Sequence, residues 1–343
     1  MKKIVAVLLC CVALLPGFSK GAELSRYETQ FFELFDTFTS LIMYAKDKET
    51  ATHYAEVVYN EMQYYHQQFD IYNSYEGINN IATLNKKAGI EPVKVDEKLI
   101  EFLQYSKEMY TLTDGNVNIA MGAVLALWHD ARTYGTANPK HAFVPDLEVL
   151  KEAYKHCNIE DLIINEEENT VFYADPKLRL DVGAIAKGYA ANCIMKAVKE
   201  AGATSILLSI GGNTCTMGLK SGDVQYTAGI QNPDLSASNQ LIMTVHLQDQ
   251  MLVTSGDYQR FYTVDEKPYH HIIDPKTLMP AIYHRAVSII ATDSGLADAL
   301  STALFIMPLE QGQAFVEKLD GVEALWIDFD GNMVMSDGFP KGI

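Results

Sequence analysis

The chain has 343 residues, 48% of them apolar and 21% charged, with 44 acidic against 27 basic residues and a net charge of −17. That length holds one large domain or two ordinary ones, and the composition is that of a globular protein rather than a disordered one. So acidic a surface argues against nucleic-acid partners, because backbone phosphate has to be neutralised by cations.

Lys2 and Lys3 precede an unbroken apolar run from Ile4 to Leu15, and small, turn-prone residues from Pro16 to Ala22 follow. This is the pattern of a secretory leader. The run is shorter than the roughly 18 residues that a membrane span needs. Residues 1–21 are therefore expected to be a signal peptide, cleaved after Ser19 or Gly21, and residues 22–343 a single domain. Lipidation at Cys10 or Cys11 fits poorly, because the bulky Leu8 and Leu9 precede them. Cleavage removes three lysines and no acid, so the mature charge becomes about −20. Cys157, Cys193 and Cys215 remain, an odd count without CxxC spacing. That argues against a disulfide framework and against a cysteine zinc site.

Residues 24–70 read mainly as helix with a strand entry at Phe35-Asp36-Thr37, and Lys46 to Gln67 has helical spacing. A loop from Ile71 leads into a short helix ending near residue 88. Val95 to Tyr110 is expected to be an amphipathic helix, Thr113-Asp114-Gly115-Asn116 a turn, and Ile119 to Ala131 an apolar helix around Trp128. Leu162–Asn165 and Thr170–Ala174 form a hairpin around an acidic turn, and Leu178–Val182 a further strand. Ala184 to Ala201 is a helix stopped by Gly202. Strands follow at Ser205–Ile210, 223–230, 241–248, 251–254 and Val287–Ala291, then helices at Ser294–Ile306 and Gln311–Leu319, and a last strand at Ala324–Phe329. Strand clusters separated by helices, with no Pro/Ser/Gly-rich linker, indicate an α+β fold with antiparallel or mixed sheets.

Four segments carry chemistry. In Asp181-Val182-Gly183-Ala184-Ile185-Ala186-Lys187-Gly188 a carboxylate precedes a tight turn into a helix. A helix N-terminus favours phosphate, but the same pattern also describes an ordinary Asp-capped helix. Ser209-Ile210-Gly211-Gly212-Asn213 ends a buried strand in paired glycines, which permits close approach of a ligand or of backbone. Tyr269-His270-His271-Ile272-Ile273-Asp274-Pro275 lacks helical HExxH spacing and suits acid–base work by a histidine better than zinc. Asp298 and Thr302 stand four apart on a predicted helix, a hard-oxygen pair suited to Mg²⁺, or simply a polar stripe.

In this order, the segments DVGAIAKGYAAN, SIGGN, TSGDYQRFY…YHHIIDPKT and ADALSTAL resemble the ApbE family of FAD:protein FMN transferases. The resemblance runs from about residue 30 to 335. It implies a tunnelling-fold-like α+β architecture, with Mg²⁺ bound in a cleft together with FAD as substrate. It also implies metal ligation by the Ala184 carbonyl, Asp298 and Thr302. Flavin-nucleotide contacts would come from Asp181, Lys187 and Ile272, the last through its backbone. The family's Met-Gly-Thr segment falls on Phe35-Asp36-Thr37, an aromatic contact on Tyr75, and the segment GAxDxTxG on residues 115–122, including Asn116, Val117 and Asn118. This chain departs from the family at Phe35 and Asp36 (for Met and Gly), Asn118 and Ala120 (for Asp and Thr), and Leu278 (for Gly).

The resemblance further implies transfer of FMN from FAD to a Thr or Ser hydroxyl of an exported acceptor, a redox subunit or FMN-binding domain, with release of AMP. His271 is the candidate for taking the hydroxyl proton, with Asp274 orienting its loop. Two rival readings remain open. Water in place of the hydroxyl would make the protein an FAD pyrophosphatase. Asn118 and Ala120 would suit a flavin-binding protein without catalysis. The leader leads one to expect an exported protein, periplasmic or at an extracytoplasmic membrane surface, and leaves membrane association open.

Overall fold

The computed structural model describes residues 24–342, so the expected signal peptide lies outside the described residues. The chain opens with an antiparallel pair, β1 (Ser25–Phe31) and β2 (Thr39–Ala45). The sequence reading had placed residues 24–31 in helix. Alternation there is short, with only Tyr27, Thr29 and Phe31 buried, and the outward Glu28 and Gln30 are good helix formers. As an edge strand, β1 draws on its partner rather than on propensity.

Three helices follow, α1 (Lys48–Phe69), α2 (Ile81–Lys86) and α3 (Glu97–Leu112), with a two-residue strand β3 (Val93–Lys94) before α3. Asp47, Asn80 and Asp96 cap them by accepting first-turn N–H groups. α4 (Gly122–Ala137) runs well past Trp128, and α5 (Leu147–Tyr154), which the sequence reading did not include, packs beside it. The expected hairpin is present as β4 (Leu162–Asn165) and β5 (Thr170–Tyr173), with β3 against β5.

Residues 178–182 are not a strand. Asn85 substitutes for a strand partner: its Nδ2 donates to the Leu180 carbonyl (3.0 Å) and its Oδ1 accepts the Leu180 N–H (2.8 Å). The Asp181 N–H donates to the Ile119 carbonyl at 2.8 Å, so the segment lies extended without joining a sheet. After α6 (Ala186–Glu200), β6 (Ile206–Ile210) turns through Gly211-Gly212 into β7 (Asn213–Met217). Then come β8 (Tyr226–Gln231), β9 (Leu241–Leu247), β10 (Met251–Gly256), and the unanticipated hairpin β11 (Phe261–Val264) and β12 (Lys267–His270). The chain closes with β13 (Ala286–Ala291), α7 (Ser294–Ile306), α8 (Leu309–Val316), β14 (Glu323–Ile327) and β15 (Met333–Met335), one strand beyond the expected last.

The main sheet has eight strands in the order β1-β2-β6-β7-β10-β13-β14-β15, every pair antiparallel. The α+β expectation therefore stands. Period-two alternation sorts its side chains between two cores. Val287, Ile289, Ala324 and Trp326 join the large core, where α1, α6 and α7 pack. Ile290, Leu325 and Ile327 face the β8–β9 ribbon instead. This double burial explains why β13 is apolar along its whole length. A third core, around Trp128 and Leu150, ties α4 to the β11–β12 hairpin.

Helices α6 and α7 cross at Gly188. A Cβ there would run into the Ser294 carbonyl and stand 2.5 Å from the Asp298 Cβ. Gly188→Ala is expected to destabilise the protein by about 1–3 kcal/mol through overpacking. Urea unfolding of the two proteins measures this, and an unchanged midpoint would show that the helices give way freely.

Candidate functional site

A cavity of about 660 Å³ opens at one end of the sheet, where the β1–β2 loop, the β6–β7 turn and the end of β10 meet. Its deepest corner lies between α6 and α7. Helix α7 is almost wholly buried and apolar, capped by Asp293 (Leu296 N–H to Oδ1, 2.7 Å). Asp298 is its one internal charge and is only 4% exposed. An acid is rarely buried so deeply without partners.

Asp298 Oδ2 accepts the Gly188 N–H at 2.7 Å and lies 4.0 Å from Lys187 Nζ. In a regular helix the Gly188 N–H would bond to the Ala184 carbonyl. Diverted to Asp298, it leaves that carbonyl without a backbone donor among the described residues. Burial pushes the Asp298 carboxyl above its usual range, against the pull of Lys187 and the Gly188 N–H. Thr302 stands one turn further along α7 and also lines the cavity, as does Asn213, whose side chain also draws the Asp298 carboxyl down. Asp298, Thr302 and Ala184 thus bring a carboxylate, a hydroxyl and a carbonyl without a backbone donor to the lining of one cavity. As an all-oxygen set with room for a phosphate it fits Mg²⁺ better than a softer metal. Among the described residues no three His, Cys, Asp or Glu side chains cluster as a metal site would require. Among the described residues Cys157, Cys193 and Cys215 are free.

The two histidines have different tasks. His270 is engaged on both nitrogens, Nε2 with the Ala281 carbonyl (2.8 Å) and Nδ1 with the Ile272 N–H (3.2 Å). His271 uses its main-chain N–H and Nδ1 on the Arg260 carbonyl (3.1 and 3.2 Å). Since a carbonyl only accepts, Nδ1 carries the proton and the Nε2 lone pair is open. Burial, then Arg260, His270, Arg132 and Lys187, push the His271 imidazole down to about 3.

The structure places most of the expected residues on the cavity wall: Phe35, Asn116, Val117, Asn118, Asp181, Lys187, His271, Ile272, Ala184, Asp298 and Thr302. Three expected residues do their work away from the cavity or by other atoms. Asp274 lies off the cavity lining, where its side chain accepts the Lys276 N–H (2.8 Å) and its backbone bonds to Leu278 and Met279, so it shapes the loop behind His271. Tyr75 also stands back, its hydroxyl donating to Asp70 Oδ2 at 2.8 Å and so positioning a residue that does line the wall. The Ile272 backbone is already used, its N–H on His270 and its carbonyl by Ala281 (3.0 Å), which leaves its side chain for any ligand.

The departures from the family pattern are accommodated. Asn118 Oδ1 accepts the Ala120 N–H (2.8 Å), as an Asp would, and Nδ2 adds a bond to the Cys157 carbonyl (2.9 Å). Phe35 and Asp36 take φ values of 57° and 50°, a region where Gly is at ease and Asp is tolerated. The Phe35 N–H is held by His66 Nδ1 at 3.2 Å.

Sequence reasoning missed two arginines and a histidine on this wall. Arg132 and His129 on α4, together with Arg260 after β10, line the same wall as Lys187 and His271. Arg132 NH2 lies 3.1 Å from His129 Nδ1. Asp181, tied to the Gly183 N–H at 3.0 Å, is pushed upward by burial and drawn back by that bond and by His129, Arg132 and Arg260. Nothing in the spacing of Arg132 distinguished it from a solvated helix face. In a chain of net charge −17, cations gathered in a cavity form an anion-binding surface.

Residues 35–326, which contain nearly all of this wall, match the model of the ApbE family. The chain belongs to the ApbE family. It is 33% identical over 352 aligned residues to the FAD:protein FMN transferase of Treponema pallidum (strain Nichols), covering 98% of this chain and 92% of that one. A protein of the same name from Klebsiella pneumoniae (strain 342) is 29% identical, over 75% of this chain and 78% of its own length. The crystal structure of the ApbE protein from Thermotoga maritima superposes with a TM-score of 0.81 at 27% identity, covering 92% of this chain and 98% of the other. The flavin transferase ApbE from Vibrio cholerae shares the fold, with a TM-score of 0.75 at 22% identity and coverage of 92% and 98%.

The His271 ring gives a direct check on this electrostatic picture. A depressed folded value means that the ring stays neutral through the whole range in which an ordinary histidine charges. Stability therefore falls with pH below about 6.5, where only the unfolded chain takes up that proton. In ¹⁵N-histidine NMR spectra of the free protein, His271 is expected to keep the neutral pattern at pH 5, and titration near 6.5 would contradict the cationic surround.

Proposed function

We propose that this ApbE-family enzyme transfers the FMN half of FAD to a hydroxyl of an acceptor protein and releases AMP. The observation that carries the reading is the joining of two unlike corners in one cavity, an all-oxygen corner at Asp298 and a cationic wall at Lys187, Arg132 and Arg260, with a neutral His271 between them. The names of the relatives agree with it.

A pyrophosphate resists attack until its charge is offset. Asp298, Thr302 and the Ala184 carbonyl would hold Mg²⁺, which when bound supplies Lewis-acid neutralisation of phosphate oxygens. Lys187, 4.0 Å from Asp298, reaches the same phosphate. Asp181 and the Gly183–Lys187 turn border the nucleotide, while Phe35, Val117 and the Ile272 side chain offer apolar surface to the flavin. An acceptor Thr or Ser hydroxyl attacks the FMN-side phosphorus, its proton passing to His271 Nε2. The anhydride bond breaks and its bridging oxygen leaves with AMP. A proton acceptor held near 3 is a weak base; burial holds it there first, and the surrounding cations, whose charge a bound pyrophosphate offsets, add to that. Substrate binding thus removes the cationic part of that depression. The internal satisfaction of Asn118 weakens the case for a binding protein without catalysis.

We further read residues 22–343 as one catalytic domain and residues 1–21 as a leader that exports it, which fits an acceptor outside the cytoplasm, a redox subunit or FMN-binding domain. No helix among the described residues is long and apolar enough to cross a membrane.

The test is to incubate the pure protein with FAD and Mg²⁺, with and without such a domain. A fluorescent acceptor band that survives denaturation, with equimolar AMP, is the expected outcome. FMN and AMP at the same rate without acceptor would reassign the protein as a pyrophosphatase, and bound FAD with neither product would remove both activities. Asp298→Asn, which keeps the shape but not the charge, should lower transfer roughly a hundredfold or more. Undiminished magnesium-dependent turnover in that variant would refute the metal corner.

A further inference from the structure

The loops at the cavity end of the main sheet expose hydrophobic side chains that the cavity does not use. The pairings Thr39↔Ile210, Ile210↔Asn213, Asn213↔Val253, Gly256↔Ala286 and Ala286↔Ile327 bring the β1–β2 loop, the entry to β13 and the β14–β15 turn to that one end. Ile282 and Phe32, 74% and 69% exposed, are the two most exposed large hydrophobic side chains among the described residues, and both stand there. The Phe32 ring lies 5.4 Å from that of Phe38, also exposed, so two benzyl groups meet in solvent. Phe329 in the β14–β15 turn is exposed as well. A single exposed apolar residue is ordinary, whereas several gathered around a site mark a contact surface.

These residues adjoin the cavity without lining it. Between Phe32 and Phe38 the loop turns Glu33, Phe35, Asp36 and Thr37 to the wall. Ile282 follows Ala281, whose N–H donates to the carbonyl of the wall residue Ile272 (3.0 Å). In the sheet β6, β7 and β10 separate β2 from β13. At ~4.8 Å per strand the two groups are thus ~19 Å apart. A surface of that span, with the cavity between its halves, suits a folded domain, whose usual contact covers about 800 Å². Charge narrows the partner further. Glu33, Asp36 and Asp330 in these loops have no ion pair within 4.0 Å among the described residues, while Arg285 at the entry to β13 is held by Asp257 at 2.8 Å. A second copy docked through this end would set carboxylates against carboxylates, and an anionic lipid surface would meet the same repulsion.

We infer that the Phe32–Phe38 pair on one side of the cavity and Ile282 on the other dock the acceptor protein as a folded domain, one that presents apolar side chains and basic residues around its Thr or Ser. This rests on the transfer reading above and adds to it the surface that holds the acceptor, as distinct from the cavity that receives its hydroxyl. Contact on both sides centres that hydroxyl over the cavity. Aromatic rings already packed on each other make anchors that lose little freedom on binding.

Steady-state labelling of a whole, exported FMN-binding domain by the full protein with FAD and Mg²⁺ tests this. Phe32→Ser and Ile282→Ser should each raise the KM for the domain about tenfold, while kcat and the KM for FAD stay within about threefold. Phe32→Leu, which keeps an apolar group, should recover most of that loss, and added salt should raise the KM of the unaltered protein. The two serine variants lie on separate loops, so one still answers if the other fails to fold. An unchanged KM for the domain in both overturns the inference. A parallel rise in the KM for FAD would mean that these residues shape the cavity instead. Sedimentation of the unaltered protein as a dimer that the variants dissociate would give the surface to a second copy. Binding to vesicles of phosphatidylglycerol and phosphatidylcholine, lost in the variants, would give it to a membrane. Each of these results overturns the inference too. If the unaltered protein labels no such domain, the transfer reading falls and this inference with it, whereas labelling that the variants leave intact overturns this inference alone.

Discussion

One hydrogen bond organises this molecule's working end: the Gly188 N–H to Asp298 Oδ2, 2.7 Å. It does three things together. It satisfies one oxygen of a buried acid, and it locks α6 against α7. It also removes from the first turn of α6 the donor that would have occupied the Ala184 carbonyl. None of this is possible unless the two helices approach at backbone distance, which the missing side chain of Gly188 allows. A packing constraint and a chemical one are thus met at the same residue. That is why a stretch of sequence with the look of an ordinary capped helix also builds one face of a site.

The rest of the wall follows from charge separation. A protein with a large acidic excess repels nucleotides at long range, so it must reverse the sign locally to bind one. The reversal comes from elements far apart in the chain, Lys187 on α6, Arg132 on α4 and Arg260 beyond β10, all meeting around His271. Held neutral by burial first and by these neighbours second, the imidazole does not compete with them as a cation. An anion that joins them offsets the cationic part of the depression and leaves the part due to burial.

Much of this was legible from the sequence. Helix α7 has the predicted limits, because Asp293 caps it and an apolar run fills it. Asp298, Thr302, Lys187 and His271 stood out because their neighbours formed ordered motifs, and they do share a cavity. What could not be read was anything decided by long-range pairing. β1 depends on β2, and residues 178–182 are held by the side chain of Asn85, nearly a hundred positions away. Motif membership likewise does not say which way a side chain faces. Asp274 and Tyr75 belong to the right segments but serve the wall from behind. Arg132 belongs to no motif and faces the cavity.

The departure at Leu278 shows how such a site tolerates change. Its φ of 61° is a conformation natural to Gly, and for a branched side chain it costs on the order of 1–2 kcal/mol. Yet Leu278 is only 4% exposed, packed in the core around Trp128, and burial of a leucine contributes about 1.5–3 kcal/mol. The two effects nearly cancel. The backbone at this point is pinned from both sides as well: the Leu278 N–H donates to the Asp274 carbonyl (2.8 Å), and the Leu278 carbonyl accepts from Trp128 Nε1 (3.0 Å). A glycine here would relax the turn but lose the apolar anchor between the histidine loop and α4. Those are the two elements that bring His271 and Arg132 to the same wall. The unusual residue therefore trades local ease for a fixed relation between the base and the cations that tune it.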